Sequence, residues 1–395
     1  MMRCKSMHAT KDYNLLLLCG NLGDGHKQAA HAIAGSAREN RSDIVTTVID
    51  FAEWTHPHIH VIGSYFYTMW LEKLPSLYGY LFQKTRLDNS ISSVLLKKIQ
   101  IYTLGRLITL LNEVRPSVVV STFPSAAAAM SMLKASGLVT IPTVTVITDH
   151  TDHSYWIHPH TDHYLVGSEY ARYGLLRQGV SNHKITVTGI PIHSQFSLTY
   201  DRQLLREKHY LQQTITTVLI MGGGLGMISK SFIHMLQKDT RLDSIQFIVI
   251  CGRNKKLKDK LSEQLKNQKH RFIVKGYIDY IHELMALSDM IITKPGGLTT
   301  SEAVALELPM ILYKPLPGQE QDNASFLLHA EVALQAKDEK GLLQQLVNIL
   351  HDPQVLSTLK MNAKKVRTKK AAYHALTRIM DTHRMFYSNT DKNTR

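Results

Sequence analysis

One histidine, one glutamate and one group of carboxylate and amide side chains follow closely after apolar runs of this sequence. His26 ends the stretch GNLGDGH, and Glu302 follows a proline-glycine-glycine turn. The remaining group comprises Glu320, Gln321 and Asn323. A neutral imidazole can accept a proton, and carboxylates and amides can bind sugar hydroxyls. These residue types suit general-base chemistry on a hydroxyl-rich substrate, although His26 could equally be a helix-terminal residue bonded to its own loop.

Glycine-rich turns accompany these side chains. Gly222-Gly223-Gly224 follows an apolar run, and Gly296-Gly297 precedes a predicted helix. Glycine lets the backbone approach a ligand closely, and the first N–H groups of a helix bind phosphate. We therefore expect both turns to bind a diphosphate. The helix is predicted to start near Thr299, with Thr299, Thr300 or Ser301 as its N-cap.

Apolar runs alternate with helical patterns along the chain and must position these turns. Continuously apolar strands are typical of parallel sheets, which bind ligands at the carboxyl ends of their strands. The alternation restarts after about residue 196, so the sequence predicts two doubly wound, Rossmann-like α/β domains that face each other across a cleft. We assign residues 1–193 to the first domain and 194–369 to the second. A polar loop at 317–323 and helical patterns at 340–350 and 353–385 are also predicted.

The composition is that of a basic globular protein. Of the 395 residues 44% are hydrophobic, and the formal net charge is +14. This charge favours anionic partners, although an ordinary basic surface would also explain it. Because no basic stripe is interleaved with aromatic residues, we expect no nucleic-acid partner. We expect neither a membrane span nor a signal peptide, and three cysteines without a spacing pattern indicate a cytoplasmic setting.

Residues 54–86 are rich in aromatic and leucine side chains, with lysine and arginine among them. Such a mixture is typical of a membrane interface or of an apolar channel. We therefore assign Tyr65, Trp70 and Tyr78 to an acceptor or membrane-facing surface. Burial in an ordinary core would explain the same pattern.

A cluster of histidine and aspartate residues begins at Asp149, directly after an apolar run, and extends to His163. Both residue types bind metals, but their spacing here fits no compact zinc signature. We therefore expect no metal and interpret the cluster as a polar loop beside a ligand.

Several motifs resemble those of one enzyme family. The stretches GNLGDGHKQAA, TDHTDHSYWIHPHTDHYLVGSE, VTGIPI, GGGLG, KPGGLTTSEA and LPGQEQDNA are similar to those of monogalactosyldiacylglycerol synthases and bacterial processive diacylglycerol glucosyltransferases, in glycosyltransferase family 28. The resemblance, over about residues 15–326, implies a GT-B fold without a catalytic metal or cofactor. It implies an inverting transfer of glucose or galactose from a UDP-sugar to diacylglycerol or a glycosyl-diacylglycerol. It also implies peripheral attachment to the anionic cytoplasmic membrane face, and a helix at about 370–390 that packs back on the first domain.

The same resemblance implies roles for individual residues. His26, next to Gly25 of the acceptor loop, corresponds to the family's proposed base, with Asp149 as its partner. Glu302 corresponds to the ribose-binding glutamate. The remaining donor-binding residues implied are Gly222, Gly223, Gly224, Gly276, Ile278, Gly296, Gly297, Thr299, Glu320, Gln321 and Asn323. Among them, Gly276 to Ile278 would bracket uracil, and Glu320 to Asn323 would bind the hexose.

Two features depart from the family pattern, both on the acceptor side. Gly20-Asn21-Leu22 stands where smaller residues are common, and His150 stands where an aromatic residue is usual. Three alternatives therefore stay open. The chain could act on another lipid or a small-molecule alcohol, bind UDP-sugars as a sensor with little catalysis, or act as a sugar epimerase on the same fold.

Overall fold

Parallel strands form the framework of the protein, shown here as a computed structural model that describes residues 13–20, 24–57, 74–86, 94–223, 226, 228–242, 245–266 and 270–393. The strands are Tyr13–Cys19 (β1), Ile44–Asp50 (β2), Val118–Ser121 (β3), Thr143–Val146 (β4), His163–Val166 (β5), Ile185–Val187 (β6), Thr216–Met221 (β7), Ile245–Ile250 (β8), Arg271–Lys275 (β9), Met290–Thr293 (β10), Met310–Tyr313 (β11) and Ala333–Ala336 (β12).

Helices connect these strands. They are Asp24–Asn40 (α1), Phe51–Thr55 (α2), Pro75–Lys84 (α3), Val94–Val114 (α4), Pro124–Ala135 (α5), Glu169–Arg177 (α6), Arg202–Lys208 (α7), Lys230–Lys238 (α8), Lys255–Gln264 (α9), Ile281–Leu287 (α10), Gly297–Ala305 (α11), Gln319–His329 (α12), Glu339–His351 (α13), Pro353–Val366 (α14) and Ala371–Asn393 (α15). No helix in the described ranges is both long enough and apolar enough to cross a membrane.

The strands form two six-stranded parallel sheets. The first has the order β2-β1-β3-β4-β5-β6, and the second has the order β12-β11-β10-β7-β8-β9. In each sheet the strand order reverses at one point, between β1 and β3 in the first and between β7 and β10 in the second. Loops that leave two such neighbouring strands diverge and open a crevice, which is where doubly wound sheets bind ligands.

The continuous apolar pattern of β1 reflects helices on both faces of its sheet. Leu15, Leu17 and Cys19 point into a core that they share with α1, whereas Leu16 and Leu18 point into a second core with α4 and α5. All five side chains are buried. A strand covered on both faces has no polar side, which is why alternation is absent from its sequence.

The chain divides into two compact units. One runs to Ser194 and also takes in the chain from Lys370 onward, and the other is Gln195–Lys369. Helix α15 therefore belongs to the first unit, where it packs on α1. Its buried residues Ala375, Leu376, Ile379 and Met380 lie in the same core as β1.

The prediction of two doubly wound α/β domains is confirmed, but three local predictions are wrong. Helix α11 begins at Gly297, not near Thr299, and its N-cap is Gly296. The predicted polar loop at 317–323 becomes helical at Gln319, after Gly318 makes the turn at φ 98°. The predicted helix at 353–385 is two helices, α14 and α15, because the chain leaves the helical conformation between Arg367 and Lys370, where φ is 57°.

Gly226, which follows β7, packs closely against the chain at the end of β8. Its φ is +62°, and a Cβ atom built on it would lie 2.0 Å from the carbonyl oxygen of Cys251. Gly226→Ala should therefore destabilise the second unit well beyond the ~1–2 kcal/mol cost of a left-handed backbone alone, as measured by urea unfolding.

Gly223→Ala is the matched control in the same loop. Its φ is +72°, but a Cβ atom there meets no described atom within 4 Å. We expect it to show only the backbone cost. Equal losses for the two variants would contradict a close contact at Gly226.

Candidate active site

His26 lies at the point where the strand order of the first sheet reverses. It is in the first turn of α1, which follows β1, and two residues from distant parts of the chain hold it. Its Nδ1 shares a 2.8 Å hydrogen bond with the hydroxyl of Thr148, and its backbone carbonyl accepts one of 2.9 Å from the hydroxyl of Thr122. These two partners of His26 thus come from the segments that follow β3 and β4.

The surroundings of His26 favour a neutral imidazole. Burial lowers its pKa, and the Asp149 carboxylate opposes that effect by raising it. Asp149 therefore acts on the imidazole electrostatically, so the two residues predicted to act together share one site. When Nδ1 carries the hydrogen and donates to Thr148, Nε2 presents the lone pair that a general base needs.

Aromatic rings connect His26 to helix α3. The imidazole lies 5.4 Å from the Phe123 ring and 5.9 Å from the Trp156 ring, measured between centroids. Tyr155 links Trp156 to Phe82 on the inner face of α3, with centroid distances of 5.8 and 5.9 Å. The wall of the site is therefore apolar on this side.

Helix α3 divides the predicted aromatic stripe between core and surface. Phe82 is buried, and Tyr78 is half-buried 6.2 Å from it. On the opposite face Leu77 is 45% exposed and Tyr80 is 62% exposed. The core interpretation thus applies to the face of α3 that carries Phe82 and Tyr78, whereas the opposite face is exposed, and its assignment to a membrane or acceptor surface stays a prediction. Tyr65 and Trp70 lie outside the described residues.

Three of the histidines after Asp149 have structural hydrogen bonds. His150 is buried, its Nδ1 lies 2.9 Å from the Ser168 hydroxyl, and burial lowers its pKa to about 3. His153 donates from Nε2 to the carbonyl of Phe82 at 2.8 Å. His163 bonds to Thr186 at 2.8 Å. Within the described ranges, no three His, Cys, Asp or Glu side chains converge as metal ligands.

The two glycine turns meet at the reversal point of the second sheet. Met221, the last residue of β7, pairs with Thr293, the last residue of β10. Gly222 and Gly223 follow the first strand, and the turn to Gly296 follows the second. Gly224 lies outside the described residues. This pairing brings the two turns to one edge of the sheet, as the sequence predicts for a shared phosphate site.

The first backbone amides of α11 are not capped by a described side chain. The hydroxyls of Thr300 and Ser301 donate backward to the carbonyls of Gly296 and Gly297, at 2.9 and 2.7 Å, and no described side chain caps the helix. The first amides of α11, with Thr299 in its first turn, are therefore left for a ligand. A helix amino terminus carries a partial positive charge, so an anion is the favoured occupant.

Glu302 is a buried carboxyl on α11. It is 7% exposed, and burial raises its pKa to about 8. Its side chain forms no hydrogen bond or ion pair with the described residues. A carboxyl that is protonated at neutral pH and lacks a protein partner is suited to a ligand that supplies hydroxyl donors.

Glu320 and Asn323, on α12, hold the neighbouring turns. The Nδ2 of Asn323, which is fully buried, donates to the Pro295 carbonyl at 3.0 Å, while Glu320 accepts from the Leu316 amide at 2.6 Å. Gln321 is exposed. The Asn323 bond ties α12 to the glycine turn before α11, so these residues at least position the predicted donor site.

Gly276 follows β9 on the same edge of the second sheet, two residues before Ile278. Between them Tyr277 is 57% exposed, and the Arg253 guanidinium lies 5.2 Å from the centre of its ring. The sequence analysis gave no role to Arg253 or Thr122, and it noted Thr148 only as the first residue of the TDHTDH stretch. The available signal is positional, because each follows the carboxyl end of a strand.

The raised pKa of Glu302 predicts a stability that falls with pH. The folded protein retains a proton that the unfolded chain loses above its ordinary pKa of 4.5, so stability is lost from about pH 4.5 up to about pH 8. At pH 7 the cost is about 3 kcal/mol. Glu302→Gln should remove this cost and raise the free energy of unfolding at pH 7, while the two proteins converge near pH 4.

Urea unfolding across this pH range measures the effect. Glu207→Gln, at an exposed position of α7, is the control and should follow the wild type throughout. A Glu302→Gln variant with no pH-dependent difference from wild type would show that this carboxyl ionises normally.

Comparisons with known proteins agree with this geometry. The family model for monogalactosyldiacylglycerol synthase matches residues 26–192, and that for the glycosyltransferase family 28 C-terminal domain matches residues 217–378. A processive diacylglycerol beta-glucosyltransferase of Bacillus pumilus (strain SAFR-032) is 30% identical, over 95% of this chain and 96% of that protein. The enzyme of the same name from Bacillus cereus (strain B4264) is 31% identical over 94% of each.

Solved structures support the fold. A putative UDP-N-acetylglucosamine 2-epimerase from Listeria monocytogenes has a TM-score of 0.61 at 12% identity, with 96% of this chain and 98% of that chain covered. MurG from Acinetobacter baumannii has a TM-score of 0.59 at 14% identity, with 93% and 99% covered. The fold is of the GT-B class. The chain belongs to the monogalactosyldiacylglycerol synthase and processive diacylglycerol glucosyltransferase family, within glycosyltransferase family 28, and is a glycosyltransferase.

Proposed function

We propose that the protein is an inverting glycosyltransferase that moves glucose or galactose from a UDP-sugar to diacylglycerol or a glycosyl-diacylglycerol. The observation that carries the reaction type is the neutral His26 imidazole, held at Nδ1 by Thr148 and influenced by Asp149. The acceptor class comes from the relatives named above, whose names specify diacylglycerol.

On the acceptor side, His26 Nε2 takes the proton of the attacking hydroxyl. The hydroxyl oxygen bonds to the anomeric carbon as the bond from that carbon to the diphosphate oxygen breaks. A single displacement of this kind inverts the anomeric centre. Asp149 stabilises the imidazolium that forms, because its carboxylate raises the His26 pKa.

On the donor side, the leaving diphosphate accepts hydrogen bonds from the free amides of α11 and from the Gly222-Gly223 turn. These fixed donors stabilise the negative charge that develops as the bond breaks. Glu302 binds the ribose hydroxyls, and the Gly276 to Ile278 segment binds the uracil. The protein itself supplies this charge stabilisation, so the proposal includes neither a catalytic metal nor a cofactor.

Purified protein incubated with labelled UDP-glucose or UDP-galactose and diacylglycerol in mixed micelles should yield a β-linked glycolipid, also in the presence of EDTA. His26→Ala should lower kcat by about 10²–10⁴-fold, the usual contribution of a general base. Binding of UDP, measured calorimetrically, should stay unchanged because the donor residues lie on the second sheet.

His31→Ala, on the same helix α1, is the matched control and should retain wild-type turnover. Absence of glycolipid with every UDP-hexose tested would exclude the proposed transfer. Full activity of His26→Ala would exclude His26 as the base, and formation of an epimer or free sugar without acceptor would indicate an epimerase.

We propose further that α3 attaches the enzyme to the cytoplasmic face of an anionic membrane. Leu77, Tyr80 and Leu81 form an exposed apolar face on this helix, with Leu74 exposed directly before it, and Lys84 lies exposed in its last turn. Helices with an apolar face beside basic residues lie in the interfacial region of a bilayer. The net charge of +14 adds attraction to anionic lipid.

Replacing both Leu77 and Leu81 by glutamate should weaken binding to vesicles that contain an anionic phospholipid by at least tenfold. Each leucine loses about 1.5–3 kcal/mol of apolar burial. Vesicle co-sedimentation measures the effect, and wild-type binding should also fall with salt. Leu138→Glu, at an isolated leucine that is 61% exposed, is the control. Equal binding by the double variant and wild type would rule out this face.

A further inference from the structure

A cavity of about 390 Å³ lies in the first unit between α2, α4 and α5. Its walls are mainly apolar, with Phe51 from α2, Leu104 from α4, and Ala128 and Met132 from α5. Ligand pockets in proteins range from about 300 to 1,000 Å³ and are lined by apolar side chains with a few polar groups. The size and the lining both fit this description.

Phe123 places the cavity next to the candidate base. Its ring forms part of the cavity wall and also contacts His26, at 5.4 Å between centroids. The ring packs against Gly20 as well, where a Cβ atom would lie 2.6 Å from it. One aromatic side chain therefore separates the cavity from the catalytic histidine, and glycine is required at position 20 to seat that ring.

Three polar residues of the cavity wall form a chain of hydrogen bonds. Thr55 donates to the Phe51 carbonyl at 2.6 Å, and His56 Nδ1 lies 3.0 Å from the same Thr55 hydroxyl. His56 Nε2 lies 3.3 Å from the hydroxyl of Thr103. Because the Thr55 hydroxyl donates its hydrogen to the Phe51 carbonyl, its oxygen accepts from His56 Nδ1. His56 Nε2 then accepts from the Thr103 hydroxyl. Burial and the charge of Arg106 lower the His56 pKa, so this chain of hydrogen bonds is neutral.

The described lining favours an uncharged occupant. No aspartate, glutamate, lysine or arginine is among the described residues that line the cavity. Ser125, which is exposed at its edge, lies in the first turn of α5, where no described side chain caps the helix. The edge thus offers hydroxyl and amide donors, while the interior offers only apolar contact.

We propose that this cavity receives one acyl chain of the acceptor lipid, with the ester carbonyl at the donors beside Ser125. The assignment rests on the proposed function, in which the acceptor is a diacylglycerol. An alkyl chain matches the uncharged interior, and an ester accepts hydrogen bonds from the edge. With the chain on one side of Phe123, the glycerol hydroxyl of the lipid is directed toward the side on which His26 lies.

Acceptors with short acyl chains provide the test, because below their aggregation threshold each added methylene leaves water on binding. One buried methylene is worth about fourfold in kcat/KM. For the wild-type enzyme, kcat/KM should rise steeply along a series from diacetyl- to dioctanoylglycerol. Ala128→Phe fills the cavity and should flatten this rise. It should lower kcat/KM for the longer-chain acceptors at least tenfold more than kcat/KM for the shorter-chain acceptors.

Two further variants keep the result interpretable. Ala135→Phe, at the exposed end of the same helix, should reproduce the wild-type series. Met132→Ala enlarges the cavity and should extend the rise to longer chains, which a folding defect could not produce. Circular dichroism and thermal unfolding check that each variant is folded.

The outcomes distinguish this inference from the proposed function. If the wild type glycosylates no diacylglycerol, the proposed function fails and the inference with it. If it does so and Ala128→Phe and Met132→Ala both keep the wild-type dependence on chain length, only the acyl-chain site is overturned. A change in the slope for both variants, in opposite directions, supports the site.

Discussion

The parallel pairing of two strands at the reversal point of each sheet is the constraint on which the His26 site of the first unit and the glycine-turn site of the second unit each depend. Leu18 of β1 pairs with Ser121 of β3, and Met221 of β7 pairs with Thr293 of β10. The loops that follow these strands must therefore begin side by side. A slip of one residue would exchange the side chains of β1 between its two buried cores and shift the loop that follows the strand, so the apolar contacts that fix the register also fix the position of that loop.

The central strands could be predicted because burial on both faces leaves an apolar run, as in Leu15 to Cys19. The edge strand β12, in which Leu334 and Gln335 are only half-buried, was not predicted. The first residues of helices could not be predicted from the sequence. A threonine or serine hydroxyl near a helix amino end can either cap an amide or bond backward to a carbonyl, and the local sequence does not decide between them. Thr300 and Ser301 take the second option, which moves the start of α11 to Gly297 and leaves its amides open.

Candidate residues were visible in the sequence, whereas the partners that give them their properties were not. His26 meets Thr148 and Thr122 across 122 and 96 residues, and only the folded chain brings these together. Asn323 illustrates the same limit. Its place in a polar motif indicates ligand binding, yet its buried amide is bonded to Pro295, because the tertiary fold turns this face of α12 inward. Motifs thus identify candidate residues, and long-range packing determines how each side chain is held.

The return of α15 to the first unit affects the order in which the protein can fold during synthesis. Leu376, Ile379 and Met380 complete the core that contains Leu15 and Ile33. Domains generally fold as they leave the ribosome, with the amino-terminal one first. Here the first unit lacks part of its core until α15 has been translated. The second unit, Gln195–Lys369, is continuous in sequence and can finish first, although its residues are synthesised later.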